Sequence, residues 1–306
     1  MDKRITKTDY LLMFLILFIL IGALAAFFYG VKVGKDKTTE KYEHMLAEKE
    51  EIAKELTAYH QQYLVSFYHT IYLPYRDFQK KWFSRMEALE LQSGSVDPRD
   101  VMKELGKYAD EKFEEIESMS MPASSPLLQE SHDNYLKSLK LFGEATDRFS
   151  TKIGVLQGSE LTNAISKDAF FAEAQGFGLV AQNKYYSSIV GWNETVQADL
   201  PATQLTAKDN LSFKEWGQLN LNLKNQYVTR IMELSDYYKP YYPHDLTIRI
   251  DEMILDGHAE RLKLTSIKPI IEMLVDTDAV RSGDYLRRNQ KFYKGETLPQ
   301  LPFFFE

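Results

Sequence analysis

Glu252, Asp256 and Glu260 recur every four residues, a spacing that stacks three carboxylates on one face of a helix. Such a ladder could hold a divalent cation if a histidine joined it. His258 is the neighbouring candidate, but two residues of helix turn it about 160° away from Asp256. Arg249 and Lys263 flank the ladder, so the pattern favours a solvated, salt-bridged surface over a metal site. Asp276, Asp278, Arg281, Asp284, Arg287 and Arg288 likewise read as loop and cap electrostatics.

Nucleophile and cofactor motifs are missing. The chain has no G-x-S-x-G elbow, no H-E-x-x-H, no calcium-loop pattern and no glycine-rich dinucleotide turn. Its six histidines, His44, His60, His69, His132, His244 and His258, are scattered. "GVKVGKD" fails as a phosphate loop, because three residues separate Gly30 from Gly34 and Asp36 stands where a magnesium-binding hydroxyl is needed. Cysteine is absent, which excludes disulfides, zinc-thiolate sites and lipid attachment through a cysteine. No enzyme and no cofactor is expected, although an active site assembled from dispersed residues leaves no linear signature.

Two features point to binding. Tyr59, Tyr63, Phe67, Tyr68, Tyr72, Tyr75, Phe78, Trp82 and Phe83 crowd one helical segment around Pro74, too many rings for one narrow stripe. They serve either as bundle core or, beside the backbone irregularity at Pro74, as a partner groove built from Tyr68, Tyr72, Tyr75, Phe78 and Trp82. Burial separates the two readings, since groove rings would leave an exposed patch of several hundred Å². The second feature is an echo, Ala174-Gln175 and Ala181-Gln182, seven residues apart on one helix face. The alanines suit close helix contact, and Gln175 and Gln182 could hydrogen-bond a neighbouring helix or a polar ligand.

The elements that must position these residues begin with Tyr10–Val31, 22 residues without a charge. As a helix this run is about 33 Å long, the thickness of a bilayer's hydrocarbon core. Lys3, Arg4 and Lys7 precede it, and Ala23-Leu24-Ala25 has the small residues of a cleavage site after Ala25. The apolar run continues past that point to full spanning length, so an uncleaved single-pass signal-anchor is the favoured reading. Gly22, Ala26 and Gly30 line one stripe that would let two membrane helices approach closely, which offers a route to a homodimer. Lysines on both sides of the run leave the positive-inside count undecided, but large trailing domains translocate largely regardless of charge. The body is therefore expected outside the cytoplasm. Beyond residue 35 it carries 32 basic against 42 acidic residues, a balance that repels nucleic acid.

After the anchor, Tyr42, Leu46, Lys49, Ile52, Leu56, Tyr59 and Tyr63 form a near-heptad series, a short coiled-coil-like stalk or the first arm of a bundle. This helix is expected to run to about Leu91 with a bend at Pro74. Further arms follow at Arg99–Ser118, after Ser125-Pro126, and from about Ser159 to Trp192. "QADLPATQLTAKDN" then marks a boundary, followed by a long helix from Ser212 to Tyr238 and shorter segments. The expected fold is all-α: residues 1–35 tail and transmembrane anchor, 36–197 stalk and antiparallel four-helix bundle, 198–306 a smaller, mostly helical C-terminal region.

This layout implies a membrane-anchored, extracytoplasmic helical scaffold, binding or accessory protein. The missing cysteines lean towards a bacterial cell envelope. Its expected partners are the lipid bilayer, through the N-terminal helix, and a protein. The alternatives are a ligand-sensing helical module signalling through a membrane partner, since the nine-residue tail is too short for an output domain, and an envelope hydrolase with a dispersed site.

Overall fold

Pro74 does more than bend its helix. A proline in a helix interior removes one N–H, and its ring collides with the carbonyl four residues back, here that of Thr70. The computed structural model answers with one wide turn just upstream. The chain runs as α1 (Gln61–Phe67), a π-helical turn (Tyr68–Tyr72) and α2 (Leu73–Glu90), and the Leu73 N–H reaches back five residues to the Tyr68 carbonyl. The extra residue in that turn rotates the register, and Phe67, Tyr68, Ile71, Tyr72 and Tyr75 all enter the core.

The structure describes residues 58–91, 97–154, 156–197 and 208–305, which lie in one compact unit, Thr57–Glu306. The expected membrane helix with its Gly22, Ala26, Gly30 stripe, the cleavage site and most of the heptad series lie outside these residues. Among the described residues no helix is long and apolar enough to cross a membrane. One expectation about the stalk is corrected where it can be seen: the helix does not pass through Tyr59. Ala58–His60 are non-helical, and α1 starts afresh with the His60 Nδ1 accepting the Gln62 N–H at 3.3 Å.

Among the described residues the fold is all-helical, without strands, and packs as a bundle. Capping chemistry sets its boundaries. Asp97 caps α3 (Pro98–Glu117) by accepting the Arg99 N–H at 2.8 Å, with Pro98 at the first helical position. Ser125 precedes α4 (Pro126–Ser150), but its hydroxyl donates to the Ala58 carbonyl instead of capping, tying the start of α1 to the bundle. The single arm expected from Ser159 to Trp192 is two helices, α5 (Gly158–Ser166) and α6 (Ala169–Val196). Asp168 separates them, accepting the Phe170 and Phe171 N–H groups at 3.0 and 3.4 Å.

α4 packs along both α3 and α6, and α2 lies against α3. The Ala174/Ala181 echo explains the closeness of α4 and α6. Ser131 Oγ donates to the Ala181 carbonyl at 2.7 Å and Ser138 Oγ to the Ala174 carbonyl at 2.6 Å. Two serines seven residues apart meet two alanines seven residues apart in antiparallel register. All four are fully buried, and small side chains let a hydroxyl reach the facing backbone.

The long helix expected from Ser212 to Tyr238 is also divided. A Ser212/Glu215 capping box starts the single-turn α7 (Phe213–Trp216), and Asn220 starts α8 (Leu221–Leu234) by accepting the Leu223 N–H at 3.0 Å. Then come α9 (Pro243–Leu255), in which Leu246, Ile248 and Ile250 are helical, α10 (His258–Arg261), α11 (Ile267–Asp276), α12 (Asp284–Phe292) and a 3₁₀ turn, Pro302–Phe304. α8 packs on α6 and α9, and α9 carries α10, α11 and α12. One core joins this region to the bundle: Tyr75 Oη lies 2.9 Å from Ser138 Oγ and 3.1 Å from Tyr238 Oη, and Phe303 packs among Tyr68, Tyr72 and Tyr186.

Candidate functional site

The aromatic residues near Pro74 are interior. Tyr68, Tyr72, Tyr75, Phe78 and Trp82 are at most 6% exposed, so the proposed partner contact through them is corrected to a core. The π-turn brings them inward, and Tyr238, Tyr242 and Phe303 from the C-terminal region close over them. Rings of this size bury most of their area when stacked edge and face, as with Phe67 on Tyr185 at 4.8 Å between centroids.

Arg76 lies within this aromatic core, and its role was invisible in the sequence. The residue is 2% exposed, and among the described residues no carboxylate pairs with it. Its Nη2 donates to the Pro240 carbonyl at 2.7 Å, its Nη1 donates to Gln79 Oε1, and its guanidinium lies 4.3 Å over the Tyr242 ring. Nε has no hydrogen-bond partner among the described residues. Gln79 Nε2 adds a bond to the Lys239 carbonyl at 3.2 Å, so two consecutive carbonyls of the segment before α9 are held by α2. Burial, and then the Arg76 charge, hold His244 well below the usual histidine range. His244 sits within 4.9 Å of Tyr242 and 5.2 Å of Phe303 in stacked geometry, with Tyr186 Oη 3.4 Å from its Nδ1. This assembly fixes the C-terminal region onto the bundle.

A second buried constellation joins α8, α9 and the segment after α12. Lys224 Nζ donates to Asp251 Oδ1 at 2.9 Å, and the two side chains are 10% and 7% exposed. Trp216 Nε1 donates to the same oxygen at 2.6 Å, and Tyr293 Oη donates to Asp251 Oδ2. A carboxylate with three donors is fully satisfied, and the group acts as an internal brace.

The surface offers a groove of about 520 Å³ where α9, α10 and α11 meet. Gly257, at φ +68°, lets the chain leave α9 in a left-handed turn that no β-carbon obstructs, and Lys263, at φ +57°, ends α10 after a single helical turn. The Ile267 N–H then bonds to the Leu211 carbonyl at 2.8 Å, which anchors the start of α11 beside α7. The groove that results is lined by Arg249, Glu252, Met253 and Asp256 of α9, His258 and Arg261 of α10, Leu262, and Met273 and Leu274 of α11. Leu262 stands 55% exposed at its rim.

The expected three-step ladder is corrected: α9 ends at Leu255 and the left-handed Gly257 puts Glu260 on α10, so only Glu252 and Asp256 border the groove, and their partners come mostly from elsewhere. Glu252 accepts from Arg249 and, at 3.1 Å, from Arg288 Nε; Asp256 pairs with Lys291 Nζ at 3.7 Å. Lys263 makes no ion pair with the ladder. Among the described residues no group of three histidine or acidic side chains could hold a metal ion. Asp284, almost fully buried, accepts the Arg281 N–H at 2.8 Å, Arg287 Nη2 at 2.7 Å and Arg288 Nη1 at 2.5 Å. Burial alone would raise its carboxyl pKa, but these hydrogen bonds hold it below the usual range.

Gln182 is buried, with Nε2 3.9 Å from Met232 Sδ, and Gln175 is half-buried on the same helix. They belong to the α6 packing surface, and neither lines the groove. No family model, curated protein or solved structure matches the chain, so the groove's own geometry carries the functional reading.

Proposed function

We propose that this chain is a membrane-tethered helical binding module of a bacterial cell envelope, with its folded body outside the cytoplasm and the groove between α9, α10 and α11 as its contact surface. What carries the binding role is that groove: an open apolar floor of Met253, Met273 and Leu274 beneath a charged rim, on helices braced from inside by the Lys224–Asp251 pair. Pockets of roughly 300–1,000 Å³ with mostly apolar walls and a few polar groups are the usual form of a binding site. The tether is supported by the uncharged run Tyr10–Val31, and it would confine encounters to the membrane plane. A small-residue stripe at Gly22, Ala26 and Gly30 would serve pairing of two such anchors.

A photo-crosslinking side chain placed at Leu262 in the full chain tests the contact surface in cells. Leu262 is exposed at the groove rim, whereas the Lys107 side chain, 80% exposed on α3, supplies a control position on a different element. The expected result is a discrete crosslinked species from Leu262 in the membrane fraction and none from Lys107. Equal products at both positions, or none at Leu262, would overturn the role assigned to the groove.

A further inference from the structure

The charges around the groove are unequally satisfied. Arg249 is engaged by Glu252 and lies 3.9 Å from Asp284, Glu252 is held by Arg249 and Arg288, and Asp256 pairs with Lys291. Among the charged side chains that line the groove, Arg261 alone has no ion pair within the described residues, and Lys263, two residues on, has none either. Both carboxylates of the lining are thus paired, and the unpaired charge of the lining is positive; beside it, outside the lining, Glu260 and Lys263 are both without an ion pair among the described residues. The Arg261 charge sits beside an apolar floor and the exposed Leu262.

Building on the binding role proposed above, we infer that the groove takes a short peptide segment of a partner protein that carries apolar side chains flanked by carboxylates. The apolar groups seat against Met253, Met273 and Leu274, and a carboxylate docks on the Arg261 guanidinium. Several physical features match this occupant. Methionine is unbranched and polarisable, so two methionine walls adapt to side chains of different shape. A guanidinium presents a planar fork that fits a carboxylate through two parallel hydrogen bonds. A volume of about 520 Å³ is large enough for several side chains. The exposed Leu262, next to Arg261 on the groove wall, can exclude water around the docked charge pair, which strengthens it. The chain's acidic balance opposes acidic partners at long range, so recognition depends on this local basic spot and weakens with salt.

The test uses the full chain in lipid nanodiscs and three fluorescein-labelled hexapeptides, alternating leucine with glutamate, leucine with lysine, and serine with glutamate. Fluorescence anisotropy should show saturable binding of the leucine–glutamate peptide only. Arg261→Glu should weaken it at least tenfold by replacing attraction with repulsion, and Leu262→Ser should weaken it severalfold. Both residues are exposed, so neither substitution threatens the fold. Unchanged affinity in Arg261→Glu overturns the assignment. Selective binding of the leucine–lysine peptide overturns the acidic class while leaving the groove as a contact surface. If no peptide binds, the peptide proposal falls; a crosslink at Leu262 in cells would then still support the broader binding role.

Discussion

Replacing Lys224 by methionine should cost about 3–5 kcal/mol of folding stability, because it leaves the Asp251 carboxylate buried without its cation. Trp216 and Tyr293 would still donate to Asp251, but two neutral donors do not cancel a charge. Asp251→Asn should cost a similar amount by stranding Lys224. The double variant, Lys224→Met with Asp251→Asn, removes both charges, keeps an amide oxygen to accept from Trp216 and places an amide N–H against the Tyr293 hydroxyl, which can accept it. It should therefore be more stable than the sum of the single losses implies, with a coupling energy of roughly 1–3 kcal/mol. Urea denaturation of the four proteins measures this directly. Against a typical domain stability of about 5–15 kcal/mol, such a loss is large enough to move the midpoint visibly. A cost below about 1 kcal/mol for either single change would mean that the pair behaves as a surface ion pair.

Arg76→Met should destabilise by about 2–4 kcal/mol, and the magnitude follows from opposing effects. Burying a guanidinium without a carboxylate is costly, so its removal relieves desolvation. The loss is larger, because the Pro240 carbonyl and Gln79 Oε1 lose a charged donor and the contact over Tyr242 disappears. The pH dependence separates this account from simple loss of packing. His244 is held below its unfolded value, near 6.5, by burial first and by Arg76 second. Below that unfolded value the denatured chain binds a proton that the folded chain refuses, so stability is full above it and is lost as pH falls, at up to about 1.4 kcal/mol per unit. The loss ends where the folded histidine itself titrates. Removing Arg76 raises that folded value while burial still keeps it below the unfolded one, so on stepwise acidification the stability loss should level off at a higher pH in the Arg76→Met protein than in the parent. His244→Phe in both backgrounds should erase the difference. If the loss levels off at the same pH in both proteins, Arg76 does not act on His244.

Local chemistry was readable where a turn residue and a first-turn proline stand at a break in the apolar pattern: Asp97-Pro98 begins α3 one residue before the expected Arg99, and Ser125-Pro126 marks the start of α4, although the Ser125 hydroxyl does not cap it. The same rule explains two misjudged helices. Asp168 and Asn220 are caps, but each sits inside an apolar periodicity that continues on both sides, so a pattern of hydrophobic spacing alone runs straight through them. The aromatic abundance around Pro74 was visible, whereas the π-turn that buries it was not. A single inserted residue per turn leaves no compositional trace. Arg76 resembled any surface arginine until Pro240 and Tyr242 were brought to it from more than 160 residues away.

The groove shows the same limit from the side of function. The acidic ladder drew attention to Glu252 and Asp256 through their spacing, and the helical neighbours Arg249 and Lys263 were the partners that spacing could name. Arg288 and Lys291 come instead from α12, 36 and 35 residues along the chain, and only tertiary packing sets that pairing. Likewise the apolar floor combines Met253 with Met273 and Leu274 from separate helices, so no window of sequence contains it.

We propose that the uncharged run Tyr10–Val31 displays a folded helical body outside the cytoplasm. A single cysteine decides it, because the chain contains none of its own. Lys107→Cys places a thiol at an exposed position on α3, where a membrane-impermeant maleimide reaches it if that face lies outside. Intact cells should label as fully as lysed cells, with the labelled chain sedimenting in the membrane fraction. Labelling that appears only after lysis, or a labelled chain that stays in the soluble fraction, would contradict the account.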